Sequence, residues 1–196
     1  TQYFIGSFDG KTFNPDPLPY PIWLDYGRDN YAGVTWSNIP DDDGRKIFIG
    51  WMNNWDYANH IPSVNFAGAM TLPRNLTLMH NGKHLIVSSQ PVKEVDALRG
   101  NGTTFETFNV NSSYQIDELI KDNNGTFEIE MVIESKNSSG FNFKLSNEKQ
   151  ERLIFDFNLN DELFTVDRSE SGVVDFSNLF AKSKSEAPLI KRTSYK

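Results

Sequence analysis

From residue 1 to about residue 90 the apolar positions fall in short aromatic runs separated by turn clusters, and the 3.6-residue spacing of a helix is almost absent. Asp9-Gly10 between Tyr3–Phe8 and Lys11–Phe13 predicts a hairpin, because Asp-Gly supplies the positive φ angles of a tight primed turn. Pro15, Pro17, Pro19 and Pro21 then predict an extended connector. Four further strands are expected at Tyr31–Trp36, Lys46–Met52, Ala67–Leu78 and His84–Ser88, with turns at Pro40–Gly44 and Asn81-Gly82. Four consecutive antiparallel strands make one blade of a β-propeller.

The pattern changes after Pro91. Val92, Val95 and Leu98 have helix-like spacing, and Gly100-Asn101-Gly102 follows as a flexible joint. Beyond it Phe127, Ile129, Met131 and Ile133 alternate with Glu128, Glu130, Val132 and Glu134, which predicts a half-buried strand. Phe141, Phe143 and Leu145 repeat the alternation, as do Leu153, Phe155, Phe157 and Leu159. Several strands with one apolar face each call for a second sheet, hence a β-sandwich. Residues 181–196 carry Lys182, Lys184, Lys191, Arg192 and Lys196 with few large apolar side chains, and predict a solvated loop rather than a finishing strand. The expected organisation is all-β: a propeller end over 1–90, a linker with a short helix over 91–102, and the first part of a sandwich over 103–196.

Composition narrows the function. The 196 residues carry a net charge of −7, which disfavours a nucleic-acid partner, and 13% of them are aromatic, so rings rather than aliphatic chains build the core. No apolar run approaches the about 20 residues of a membrane-spanning helix, so no membrane partner is expected. Thr1 leads straight into Tyr3-Phe4-Ile5 without a basic-then-apolar leader, the appearance of a chain whose signal peptide is gone. The absence of Cys excludes disulfides, thiolate metal sites and Cys nucleophiles. Asn75, Asn101, Asn111, Asn124 and Asn137 each open an Asn-x-Ser/Thr glycosylation triplet, which favours a secreted or cell-wall protein.

Two segments concentrate polar and aromatic groups: Asp25-Tyr26-Gly27-Arg28-Asp29-Asn30-Tyr31 and Trp51-Met52-Asn53-Asn54-Trp55-Asp56-Tyr57. Sugars suit this mixture, since their C–H faces stack on indole or phenol rings while Asp, Asn and Arg bond the hydroxyls. Trp36, Trp51 and Tyr31 read as core residues of their strands, whereas Trp55 falls past a strand end, where binding groups are displayed. Asp25, Arg28 and Asp29 read equally as a solvated, ion-paired turn. His80 and His84 flank a turn as cross-strand neighbours and lack a third ligand, so neither a metal nor another cofactor is expected. Asp41-Asp42-Asp43-Gly44 lacks the spacing and closing Glu of a calcium loop.

Four segments together give the chain a resemblance to glycoside hydrolase family 32, the invertases, inulinases and levanases. They are Gln2–Gly10, Asp25–Ala32, Gly50–Tyr57 and Ala69–Arg74. The resemblance implies a five-bladed β-propeller followed by a β-sandwich, with residues 1–13 ending blade four, about 24–90 forming blade five and those from about 103 opening the sandwich. It further implies retaining hydrolysis of terminal β-fructofuranosyl units in sucrose or fructans: an Asp nucleophile attacks the anomeric carbon, a Glu protonates the leaving oxygen and a second Asp stabilises the transition state. Trp51-Met52-Asn53-Asn54 is similar to the start of the nucleophile motif, but Asn54 stands where the Asp belongs and a neutral amide is no nucleophile. The stabiliser and acid motifs have no match, so no catalytic residue is expected in this chain, which is taken as inactive alone and as the partner of a missing N-terminal part of the same enzyme. The sugar-binding half carries over: Trp55 resembles the tryptophan lining the fructose pocket and Asp25 and Arg28 a sugar-contacting pair, with Asp29 and Asn54 counted among the substrate contacts. Whether subunits pair as a homo-oligomer through their sandwiches stays open. A catalytically inactive carbohydrate-binding protein of the same fold is the main alternative, and an unrelated β-sandwich adhesin a further one.

Overall fold

The computed structural model describes residues 1–116, 125–181 and 184–189. Their contacts group into two compact units, Thr1–Val92 with Ser135–Lys196, and Lys93–Glu134.

In the larger unit two short ladders come first: β1 (Gln2–Tyr3) pairs antiparallel with β4 (Ile22–Trp23), and β2 (Gly6–Phe8) with β3 (Phe13–Pro15). Gly10, at φ +94°, makes the turn between β2 and β3, and the Asp9 carboxylate caps it by accepting the Lys11 and Thr12 amides. The main sheet of this region runs in chain order through β5 (Tyr31–Thr35), β6 (Lys46–Met52), β8 (Arg74–His80) and β9 (Leu85–Pro91), all antiparallel, with β7 (Ala69–Met70) paired to the end of β6. β6 is central, with β5 along one edge and β7 and β8 along the other, and its Ile47 and Phe48 are buried. The near-continuous apolar sequence from Ile47 suits such a position, since the adjacent Ile47 and Phe48, on opposite faces, are both buried. Gly33 on β5 is needed for it: a Cβ there would lie inside the Phe48 ring.

A second sheet is built from β10 (Gly140–Ser146), β11 (Arg152–Asn158), β12 (Leu163–Glu170) and β13 (Lys184–Pro188), again antiparallel and in chain order. Phe141, Phe157 and Phe164 are successive cross-strand partners, with ring centroids 4.5 and 4.8 Å apart, so one face is zipped by aromatic pairs. A short helix, α1 (Asn178–Ala181), packs on β12. The smaller unit holds a 3-10 segment, Lys93–Leu98, where helical spacing was expected, and Arg99 forks onto Glu128 at 2.5 and 2.8 Å. No described helix is long and apolar enough to cross a membrane.

Five expectations are corrected. Residues 127–133 form no strand, and Phe127, Met131 and Ile133 are exposed: alternation specifies a face fit for burial, but a ladder needs a partner, and among the described residues of the smaller unit none is supplied. Conversely, Lys184–Pro188, expected as loop, is a strand. It lies at the sheet edge, where Lys184 and the terminal Pro188 suit a strand with one unpaired side, and Lys184 is held by Asp167 of β12 at 2.9 Å. The strand expected over 67–78 is broken at Thr71–Pro73, since Pro cannot donate to a ladder. Tyr31 and Trp36 are exposed rather than core, because β5 is an edge strand. His80 faces Leu85, not His84, which belongs to the Asn81–His84 turn.

Candidate sugar-binding site

The site is the turn that follows β6. Once Met52 ends the strand, polar side chains take over the role of backbone partners. Asn53, 1% exposed, accepts the Asn54 amide on Oδ1 at 2.9 Å; Asn54 Oδ1 accepts the Asp56 amide at 2.9 Å; and the Asn54 carbonyl accepts the Ala58 amide at 3.0 Å. Asn54 thereby closes an Asx turn, and with the Asn53 contact before it and the Ala58 amide after it, residues 53–58 fold into a tight knuckle. Trp55 is at its apex, 65% exposed, and is braced by Trp51 in a T-shaped contact at 5.3 Å between centroids and 63° between planes. Trp51 is fixed in turn by donating Nε1–H to the Ala67 carbonyl at 2.9 Å. An indole held at a defined angle with a bare face offers a stacking platform to an apolar ring surface at small entropic cost.

Charged groups rim that platform. Arg28 forms an ion pair with Asp56, the neighbour of Trp55. Asp25 is bound on both oxygens, accepting the Gly27 amide at 2.7 Å and the Asn30 side-chain amide at 3.0 Å, so it shapes the Asp25–Asn30 loop. Gly50 of β6 permits that loop to close down, since a Cβ there would collide with Asn30 Oδ1.

Beneath the knuckle lies a second layer that the sequence did not disclose. Asp29 Oδ1 accepts from Asn54 Nδ2 at 2.9 Å and from the Tyr57 hydroxyl, while Oδ2 is paired with the Arg168 guanidinium of β12. Arg168 also donates to the Tyr57 oxygen at 2.6 Å, and its Cζ lies 4.0 Å from the centre of the Phe180 ring. Tyr57 is 1% exposed and meets Phe176 and Phe180 edge-on. Burial pushes the Tyr57 phenol above its ordinary pKa, and the hydrogen bond to the Asp29 carboxylate pushes the same way. The Arg168 guanidinium is held above its usual range by Asp29 and Tyr57, against the opposing effect of burial.

Of the five residues expected to touch sugar, the structure gathers Arg28, Asp29, Asn54 and Trp55 around one turn, with Asp25 in the adjoining loop. Two of them face inward. The Asn54 amide nitrogen donates to Asp29 and to the Arg28 carbonyl, its oxygen accepts from Asp56, and Asp29 accepts from Asn54, Tyr57 and Arg168, so both hold the turn. Asp56 and Tyr57 fell inside the polar and aromatic segment but were given no role, and Arg168 was missed; its one signal was an Asp167-Arg168 pair following the apolar start of its strand. Among the described residues no group of three His, Cys, Asp or Glu side chains is placed to hold a metal ion. Of the glycosylation triplets, Asn101, Asn111 and Asn137 are exposed, Asn75 lies within β8 with its Oδ1 buried, and Asn124 is outside the described residues.

Family comparisons agree with this architecture. Residues 1–89 match the model of the glycosyl hydrolases family 32 N-terminal domain and residues 94–194 that of the family 32 C-terminal domain. The chain belongs to glycosyl hydrolase family 32. It is 35% identical over 192 residues to a levanase of Bacillus subtilis, covering 96% of this chain and 28% of the relative. It is 33% identical over 191 residues to an invertase of Kluyveromyces lactis, covering 88% and 31%. An extracellular exo-inulinase of Aspergillus awamori is 29% identical over 194 residues, covering 92% and 35%, and an exo-inulinase crystal structure from that organism superposes with a TM-score of 0.68 at 25% identity over 96% of this chain and 37% of that one. The chain thus spans about a third of the length of these relatives.

Proposed function

We propose that this chain is the C-terminal portion of a secreted retaining glycosidase that releases terminal β-D-fructofuranosyl units from sucrose or fructans, and that it contributes sugar contacts rather than reacting groups. The observation that carries the proposal is the exposed face of Trp55 on a knuckle locked by Asn53, Asn54 and Asp29. Trp55 stacks on the furanose, while Arg28 and Asp25 stand at the rim to bond its hydroxyls. The names of the relatives, levanase, inulinase and invertase, support a fructosyl substrate, and the extracellular inulinases support secretion.

In this reading residues 1–90 end the propeller, with β5, β6, β8 and β9 as its last blade, and the β10–β13 sheet belongs to the sandwich. Apolar side chains left open on the strands, among them Phe8 and Leu78, and Phe66 in the loop before β7, are what neighbouring blades cover. The nucleophile, the transition-state stabiliser and the acid/base lie outside this chain. Asn54 does not substitute for the first, since a neutral amide is a far weaker nucleophile than a carboxylate and this one is held by Asp29 and Asp56.

Assay of the full-length protein for fructose release from sucrose, inulin and levan tests the proposal. Release from at least one is expected; none from any of the three overturns it. Binding of fructo-oligosaccharides without turnover, seen by calorimetry, supports instead the second reading, a catalytically inactive carbohydrate-binding protein, which the lack of matching catalytic carboxylate motifs favours.

A further inference from the structure

We infer that Arg168, which lies on the second sheet and does not reach the platform itself, is a positioning residue for Trp55. The inference rests on the reading of Trp55 as the sugar platform. Trp55 is flanked by two anchors, Asn54 immediately before it and Tyr57 two residues after, and both end on one oxygen, Asp29 Oδ1. The angle of the indole therefore depends on where the Asp29 carboxylate sits and on its charge. The Asp29 side chain is only 20% exposed, and a carboxylate so far from water needs a fixed counter-charge. Arg168 supplies it with a planar fork: one nitrogen pairs with Asp29 Oδ2 and the other donates to the Tyr57 oxygen, which orients the tyrosine proton toward Asp29. Phe180 lies against the guanidinium and Tyr57 packs on Phe176 and Phe180, so the fork has little freedom to rotate. The contact spans 139 residues of chain, from Asp29 to Arg168. Through it the second sheet sets the geometry of a turn that belongs to the first.

The plain alternative is that Arg168 merely staples the two sheets together. Steady-state kinetics and melting temperatures of the full-length protein with Trp55→Ala, Arg168→Met, Arg168→Lys and the double variant Trp55→Ala/Arg168→Met separate the two. If Arg168 acts through the platform, Arg168→Met lowers kcat/KM by about 10- to 100-fold, the size of effect that a misplaced binding group produces. The double variant is then within about twofold of Trp55→Ala alone, because a platform already removed cannot be misplaced again. Arg168→Lys, which keeps the charge and loses the fork, recovers part of the loss. Multiplying losses in the double variant, or unchanged kcat/KM in Arg168→Met where Trp55→Ala is impaired, overturns the inference. Should Arg168→Met fail to fold, Arg168→Lys carries the test: a lower kcat/KM at an unchanged melting temperature supports it, and an unchanged kcat/KM overturns it. Unaltered kinetics in Trp55→Ala would instead remove the platform, and with it the proposed function of this turn.

Discussion

The side-chain amide of Asn54 donates to Asp29 Oδ1 at 2.9 Å, across 25 residues of chain, and ties the knuckle after β6 to the loop before β5. An amide is required there because the acceptor is a carboxylate. Asn54→Asp, which puts an acid where the segment is similar to the start of the nucleophile motif, places two carboxylates against each other. We expect no gain in hydrolysis and a loss of about 1–3 kcal/mol of stability, read by urea unfolding of the full-length protein. A gain in turnover would mean that position 54 faces the reacting carbon.

Trp55→Ala removes the exposed indole while leaving the Asn54 and Asp56 contacts in the backbone path intact. The expected cost is about 1–3 kcal/mol in transition-state binding, seen in kcat/KM for sucrose or inulin, with Trp55→Phe intermediate.

Tyr57 makes the Asp29 cluster sensitive to alkali. Its folded pKa is raised above the ordinary 10.0, so the native state holds the proton more tightly than the unfolded chain. The contribution is complete below the unfolded value and declines as pH rises from there toward the folded value. Denaturant unfolding between about pH 9 and 11 is expected to show this decline in the wild type and a smaller one in Tyr57→Phe, which has no phenol to titrate at this position.

At the other end of the scale, Asp167 has a pKa lowered from 3.8 to about 2, first by the Ser169 hydroxyl and amide and then by Lys184. Its contribution is present above 3.8 and is lost as pH falls through the window down to about 2. Since Lys184 is 59% exposed, screening limits the effect to about 1 kcal/mol or less. Asp167→Asn is expected to flatten the acid limb of the stability curve by lowering stability at neutral pH by that amount, with the two proteins converging near pH 2.

Gly33→Ala tests the packing of β5 on β6. The new methyl has to displace the Phe48 ring, which is 4% exposed and has little room to move, so a loss of about 1–3 kcal/mol is expected in thermal unfolding. An unchanged melting point would mean that the two strands separate easily.

Most strands whose ladders close between chain neighbours were legible from residues alone, β12 and β13 excepted. β6 begins and ends where its apolar run predicts, and the Asp9-Gly10 hairpin and the 3-10 segment after Val92 follow from local chemistry that sequence displays. Residues 127–133 and 184–188 fail in opposite directions for one reason. Period-two alternation records what a strand would bury, while a ladder depends on which backbone lies beside it, and Lys184–Pro188 gains one from β12 despite its charges. The site divides in the same manner. Trp55 stands out because a large ring in a run of turn formers has no local reason to be there. Arg168 does not, because its partners Asp29 and Tyr57 are 139 and 111 residues away and no spacing rule connects them.

Arg168 sits five residues into β12, a strand flanked by β11 and β13 along most of its length. Side chains on a strand alternate sides, so insertion or loss of a single residue between Leu163 and Asp167 would either turn the guanidinium to the opposite surface or slip Phe164 out of step with Phe157. The cost would fall on Trp55 or on the aromatic zip, making the length of this stretch, as much as its composition, the quantity an engineer must preserve.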